Sequence, residues 1–156
     1  MAEKMASGDW MQYLTKLEET LNEYFGKKAP ALPENWKKFL AKVAPYLIII
    51  SAVLSIPAIM AIFGTAKLLG SAVPGAMMYF NTWEYKMSWA FMVVALALEI
   101  MAVPSLFKLE KKGWNLMFYA SLLGVIQNAV LFNFFGLIIG ALISFYVLFQ
   151  IRSQYK

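Results

Sequence analysis

The sequence predicts an all-α integral membrane protein, a bundle of four transmembrane helices with an amphipathic N-terminal helix. Of its 156 residues 61% are hydrophobic and only 15% are charged, against roughly 45–50% and about 25% in soluble domains. A soluble domain of this length cannot bury so much apolar surface. The apolar residues also form long segments, and the basic residues lie in short clusters beside them, as in membrane proteins.

The first predicted part of the chain, 1–35, is a cytoplasmic amphipathic helix followed by a linker. Over 9–25 the apolar residues recur every three or four positions, which is typical of a helix at the membrane interface or against a partner. We expect Gly26 to end this helix. The stretch 27–35 contains two prolines and is predicted to be a short, stiff linker.

The second part, 36–156, is predicted to be the transmembrane domain. A helix rises about 1.5 Å per residue, so about 20 apolar residues cross the hydrocarbon core. A nearly uncharged stretch after residue 113 is too long for a single crossing. We therefore expect it to divide near Asn133 into the last two spans. The four predicted spans are about 43–66, 87–107, 114–131 and 134–151.

Two features of the first half carry further expectations. Pro57 should kink the first span, and Ser51 and Ser55 are expected to bond to backbone that this proline leaves free. The connection 67–86 is too apolar for an ordinary loop and too interrupted by Gly and Pro for a span. We expect it to form an interfacial or re-entrant turn.

The basic residues predict the orientation. With four spans, the richer clusters all fall on one face of the membrane, and only Lys67 and Lys86 fall on the other. The positive-inside rule then places both termini in the cytoplasm. The bases on the richer face are Lys37, Lys38, Lys42, Lys108, Lys111, Lys112, Arg152 and Lys156.

Several chemistries are disfavoured by composition. The chain has no Cys and no His, so it lacks thiolate ligands, disulfides and the commonest general base and metal ligand. We expect no enzymatic activity, no catalytic residue, no cofactor and no metal site. The basic residues form no stripe of the kind that nucleic acids bind, so no nucleic-acid partner is expected.

Glu99 is the one ionisable side chain well inside a predicted span. A charged group there costs a few kcal/mol at least and therefore faces the bundle interior or water. Glu99 is either a proton or cation site, or a protonated group that joins helices by a hydrogen bond. The candidate intramembrane polar site is Glu99, Ser55, Ser121, Gln127 and Asn128.

Small residues recur at every fourth position in the last two predicted spans. Such faces let helix backbones approach closely, as in GxxxG motifs. They could pack the two spans together as a hairpin or form a dimer contact, and both interpretations stay open. The candidate packing residues are Gly136, Gly140, Ser144, Ala120 and Gly124.

Two stretches carry a resemblance to a known class of proteins. They are LPENWKKFLAKVAPYLIII, ahead of and within the first span, and KKGWNLMFYASLLGVIQNAVLFNFFGLIIGALISFYVLFQIRSQYK at the C-terminal side. Residues 32–156 resemble the small four-span membrane proteins that many bacteria encode. The resemblance implies the bacterial cytoplasmic (inner) membrane, and no functional residue is carried over from it.

Two functional hypotheses follow. The first is a non-enzymatic accessory, assembly or interaction protein that has the lipid bilayer and either itself or another membrane protein as partners. The alternative is a small oligomeric transporter or channel that uses the intramembrane Glu99, with Ser55 and the 67–86 segment on its path.

Overall fold

Among the residues it describes, the computed structural model contains five α-helices and no strand. The structure describes residues 2–73, 75, 78 and 82–156, without the side chains of 2–8, 58, 59, 61–63, 65, 66, 69 and 70. The helices are α1 (Ala2–Leu21), α2 (Glu34–Ala72), α3 (Trp83–Phe107), α4 (Lys111–Val130) and α5 (Phe134–Ile151). A π-helical segment, Asn22–Lys28, continues α1, and a 3-10 turn, Arg152–Gln154, follows α5.

Three of these helices are long and apolar enough to cross a membrane. They are Glu34–Pro57 within α2, the whole of α3, and Phe134–Gln154, which is α5 with its following turn. Helix α4 has 20 residues, enough for about 30 Å, but polar residues at both of its ends make it less apolar. The structure therefore shows an all-helical protein with three helices of membrane-spanning character. The third predicted span, 114–131, is also a helix, α4, but it lacks that character.

The N-terminal helix is longer than expected. Helical backbone continues from Ala2 through Gly26 to Lys28, so the prediction that Gly26 ends the helix is wrong. The end comes at Ala29, which is extended with φ −67° and ψ 152°, because the residue before a proline is driven out of the helical region. A Cβ at Gly26 would lie 2.5 Å from the side-chain oxygen of Asn22, and at an ordinary contact distance, 3.8 Å, from the carbonyl oxygen of Phe149 in α5.

Helix α2 also extends beyond its predicted span on both sides and contains two prolines, Pro45 and Pro57. The Ser55 hydroxyl donates to the Ser51 carbonyl over 2.7 Å, and the Ser51 hydroxyl donates to the Ile48 carbonyl over 2.9 Å. Neither serine therefore bonds to the Val53 carbonyl, the acceptor that Pro57 leaves free, and that expectation is wrong. The predicted connection 67–86 begins within α2 and ends within α3, and most of its middle lies outside the described residues.

The turns between α3 and α4 and between α4 and α5 share one backbone geometry. Leu109 and Phe132 adopt positive φ values of 55° and 54°. In each turn the next amide donates to the carbonyl five residues back, Glu110 to Ser105 and Asn133 to Asn128, both over 2.9 Å. This is the Schellman arrangement, which usually has glycine at the positive-φ position. The Asn133 side chain then accepts from the Gly136 amide over 3.0 Å and caps α5.

An aromatic cluster forms the core at one end of the bundle, which we call the aromatic end. The Trp114 ring is fully buried, stacks on Phe118 at 5.5 Å between centroids and meets Phe149 edge-on at 5.3 Å. Its indole N–H donates to the Leu148 carbonyl over 2.8 Å. Since Leu148 lies in the last turn of α5, its carbonyl is among those without an amide donor in the helix. Trp114 thus ties the start of α4 to the end of α5.

Tyr155 closes the same end against α2. Pro45 lacks an N–H and so leaves the Ala41 carbonyl without its donor in the helix. The Tyr155 hydroxyl donates to that carbonyl over 3.2 Å. Tyr155 is 6% exposed, and burial raises the pKa of its hydroxyl to about 12.

Hydrogen bonds from α5 hold the N-terminal segment at the aromatic end. The Gln150 side chain donates to the Phe25 carbonyl over 2.7 Å and accepts from the Leu32 amide over 2.9 Å. The Tyr146 hydroxyl donates to the Pro30 carbonyl over 2.7 Å. The π-helical segment and the linker are therefore joined to α5 by three hydrogen bonds.

The start of α2, the turn after α3 and the end of the described chain all lie at the aromatic end. The Lys111 amide donates to the Lys156 carbonyl over 2.7 Å, and the Lys156 amide donates to the Leu109 carbonyl over 2.9 Å. The Gln154 amide group donates to the Glu34 carboxylate over 3.3 Å.

Replacing Tyr155 by Phe should destabilise the protein by about 1–3 kcal/mol, because a buried carbonyl loses its donor. In a Pro45→Ala background the restored amide supplies that donor, so the cost should shrink. Because burial raises the pKa of the Tyr155 hydroxyl to about 12, the folded state favours its neutral form. The contribution of the hydroxyl to the free energy of unfolding is therefore complete below about pH 10 and is lost as the pH rises toward 12. Unfolding in detergent measures the effect of the substitution and its dependence on pH.

If Tyr155→Phe lowers the free energy of unfolding equally in the unaltered protein and in Pro45→Ala, the Tyr155 hydroxyl does not replace the donor that Pro45 lacks. Tyr13→Phe, at an exposed position, is the control.

Candidate functional site

Helices α3, α4 and α5 leave a groove between them with a volume of about 330 Å³. It extends from the turn that joins α4 to α5 to the middle of α3. Polar groups and small residues make up most of its wall. The predicted residues that line it are Glu99, Ser121, Asn128, Ser144, Ala120, Gly124, Gly136 and Gly140.

The structure thus brings three of the five polar candidates and all five small-residue candidates into one site, although the sequence pattern indicates two separate features. Ser55 and Gln127 do not line the groove. Ser55 lies on α2, which contributes no residue to the wall. Gln127 precedes Asn128 on α4, and successive residues of a helix point about 100° apart. Ala95 is a lining residue that the sequence analysis missed, although it lies four positions before Glu99 and hence on the same face of α3.

Glu99 is half-buried and faces the groove. It lies eight residues before the end of α3, about 12 Å along the axis at 1.5 Å per residue. Within the described part of the chain its carboxyl group makes no hydrogen bond and no ion pair. A polar group without a partner at this depth is costly. The interhelical hydrogen bond that one interpretation of Glu99 requires is therefore not made by the described residues.

The glycines of the groove differ in what surrounds them. A Cβ added to Gly124 or Gly140 would meet no atom within 4 Å, so neither is needed for the contact between α4 and α5. A Cβ on Gly136 would lie 2.6 Å from the side-chain oxygen of Asn128. A side chain at Gly136 would therefore require the Asn128 and Asn133 side chains to move, whereas the space beside Gly124 and Gly140 is open.

The polar groups of the groove can accept a hydrogen-bond donor or a cation. It presents one carboxyl group, two serine hydroxyls and the Asn128 amide, whose N–H₂ donates to the Gly124 carbonyl over 2.8 Å. Among the described residues no three acidic side chains come together as a metal site.

No protein-family model, curated protein or solved structure matches this chain.

Replacing Glu99 by Leu should leave the stability of the isolated chain unchanged or raise it by about 1 kcal/mol, because an unpartnered polar group is removed and no hydrogen bond is lost. As a contrast, Gln150→Leu removes a side chain with two hydrogen bonds and should cost about 2 kcal/mol. Thermal unfolding in detergent compares the two variants. A loss of stability in Glu99→Leu similar to that in Gln150→Leu would show that the carboxyl group has a partner within the chain.

Proposed function

We propose that this chain is a non-enzymatic integral membrane protein that assembles through the groove with a helix from outside the chain. The observation that carries the proposal is the Glu99 carboxyl group, which lies in an open groove without a partner among the described residues. A helix seated there would satisfy the carboxyl group with a donor of its own. The partner is a second copy of this chain or another membrane protein.

The groove suits a helix because most of the side chains that line it are small. A Cβ at Gly124 or Gly140 would meet no atom within 4 Å, so the backbone of a second helix can approach α4 and α5 closely. From Gly136 to Ser144 the groove follows α5 for about 12 Å, or two helical turns. A hydrogen bond to Glu99 would add on the order of 0.6–2 kcal/mol to such a contact.

Connectivity supports four crossings. The ends of α3 and α5 both lie at the aromatic end, because Leu109 and Lys156 are hydrogen-bonded there. Both helices have spanning length and hydropathy, so their starts lie toward the opposite side. The chain must then recross the membrane between Phe107 and Phe134. Helix α4 is the segment available to do so, and its polar ends fit the two interfaces.

The charge distribution supports a cytoplasmic aromatic end. The segments with the richer basic clusters (34–42, 108–112 and 152–156) meet there. By the positive-inside rule this end faces the cytoplasm, together with both termini. The resemblance to small four-span proteins of bacteria supports the bacterial cytoplasmic membrane as the location.

The polar lining of the groove favours a second candidate, a small oligomeric transporter or channel. Glu99, Ser121, Asn128 and Ser144 form a polar track, and several copies could enclose it. This candidate predicts proton or cation flux in liposomes that Glu99→Gln abolishes. The assembly role predicts no such flux.

Cysteine labelling tests the four crossings, because the chain has no cysteine of its own. We expect Lys108→Cys to react with an impermeant maleimide only from the cytoplasmic side, and Asn133→Cys only from the opposite side. Labelling of both from the same side would contradict a crossing by α4. Lys38→Cys serves as a second reporter for the cytoplasmic side.

Filling the groove tests the assembly role. Gly140→Leu places a large side chain where nothing lies within 4 Å, so the chain should fold while association weakens by about tenfold or more. Gly64→Leu is the matched control, since Gly64 in α2 is equally free of neighbours but lies outside the groove. Association is measured by cross-linking and pull-down from native membranes. Equal association of both variants would rule out the groove as the interface.

A further inference from the structure

A second cavity, of about 390 Å³, lies at the aromatic end between the N-terminal segment, α2, α4 and the end of α5. Four basic side chains line it: Lys27, Lys37, Lys111 and Arg152. They come from four separate parts of the chain, so the fold alone brings them together. No acidic residue of the described chain lines this cavity.

Two of the four bases are neutralised by acids outside the cavity wall. Arg152 pairs with Glu18, and Lys37 pairs with Glu34 over 3.0 Å. Lys27 and Lys111 are exposed and form no ion pair within the described part of the chain. The cavity therefore holds an excess of positive charge that a bound anion would offset.

The Arg152 guanidinium is held in a defined position. It bonds to Glu18 on one side and lies 5.2 Å from the centre of the Trp114 ring on the other. A fixed guanidinium presents planar N–H donors that match the oxygens of a phosphate group. The Ser153 hydroxyl also lines the cavity and adds a further donor.

The cavity lies at the level expected for lipid headgroups. Lys37 is next to Trp36, and the Trp36 and Phe39 rings are both more than half exposed and pack edge to face at 6.0 Å. Exposed aromatic rings at the end of an apolar helix mark the membrane interface. An apolar crevice of about 350 Å³ lies between the N-terminal segment at Phe25 and α5 at Leu142. Because Phe25 is adjacent in sequence to Gly26 of the cavity, a lipid headgroup in the cavity can place an acyl chain in this crevice.

We propose that this cavity, the basic pocket, binds a phosphate group. Two sources present that chemistry, the headgroup of an anionic glycerophospholipid and free phosphate in the cytoplasm. Basic pockets between spanning helices on the cytoplasmic side commonly bind anionic headgroups. The proposal is independent of the groove and of the assembly role.

Native mass spectrometry of the full chain in detergent tests the basic pocket, with phosphatidylglycerol as the probe and phosphatidylcholine as the zwitterionic comparison. We expect phosphatidylglycerol to bind about tenfold more tightly, on the scale of one to two basic contacts. The double variant Lys27→Gln/Lys111→Gln should lose this preference. The control Lys38→Gln/Lys42→Gln removes the same charge from exposed positions of α2 outside the pocket and should retain it.

Excess inorganic phosphate separates the two sources. Displacement of phosphatidylglycerol by phosphate would show that the pocket also accepts the free anion, and bound lipid that resists phosphate would identify the headgroup as the source. Equal binding of the two lipids by the unaltered protein, without binding of inorganic phosphate, would overturn the proposal whatever the variants do. An equal loss of preference in both double variants, with helicity unchanged by circular dichroism, would also overturn it, because general surface charge would then explain the binding.

Discussion

A helix that is buried in a protein must find a donor for each carbonyl group that its own backbone leaves free, and the aromatic end of this protein is organised around that requirement. Pro45 frees the Ala41 carbonyl, and Tyr155 supplies the missing donor. The Leu148 carbonyl lies in the last turn of α5 and has no donor within the helix, and the Trp114 indole N–H supplies that donor. Each hydrogen bond joins two elements distant in sequence, so the same interactions that satisfy the backbone also close the bundle.

The groove differs from the aromatic end in this respect. Its glycines have free space around them and the Glu99 carboxyl group has no partner among the described residues, whereas the aromatic end is closely packed and hydrogen-bonded. Among the described residues, the aromatic end is therefore closed by contacts within the chain, whereas the groove between α3, α4 and α5 is open and is the place where we propose that a partner helix binds. The basic pocket lies at the aromatic end, where the N-terminal segment forms one of its walls. The two sites use different helix faces and different chemistry, which is why they can be tested separately.

Particular residues show how far the sequence predicted this arrangement. The turn near Asn133 lies where the sequence analysis places it, because an apolar stretch too long for one helix must divide at its polar residues. The end of the N-terminal helix was predicted at Gly26 but lies at Ala29, because Pro30 restricts the residue before it more strongly than a glycine ends a helix. The pairing of Ser55 with the proline-freed carbonyl failed because the hydroxyl reaches the Ser51 carbonyl, one turn back, instead. Local backbone competition of this kind does not appear in hydropathy.

The sequence by itself determined the class of the protein, because apolar composition and the length of apolar segments leave the bilayer as the only solvent that suits them. It also determined the candidate residues Glu99, Gly124 and Gly140, since charge and size are properties of single positions. Only the tertiary structure decided that these residues line one groove while Ser55 and Gln127 stay outside, and that four distant basic residues line one pocket. The reason is physical. Which faces of separate helices meet depends on packing and on hydrogen bonds such as those of Trp114 and Tyr155, and those contacts span more than 30 positions of the chain, far beyond the reach of a local pattern.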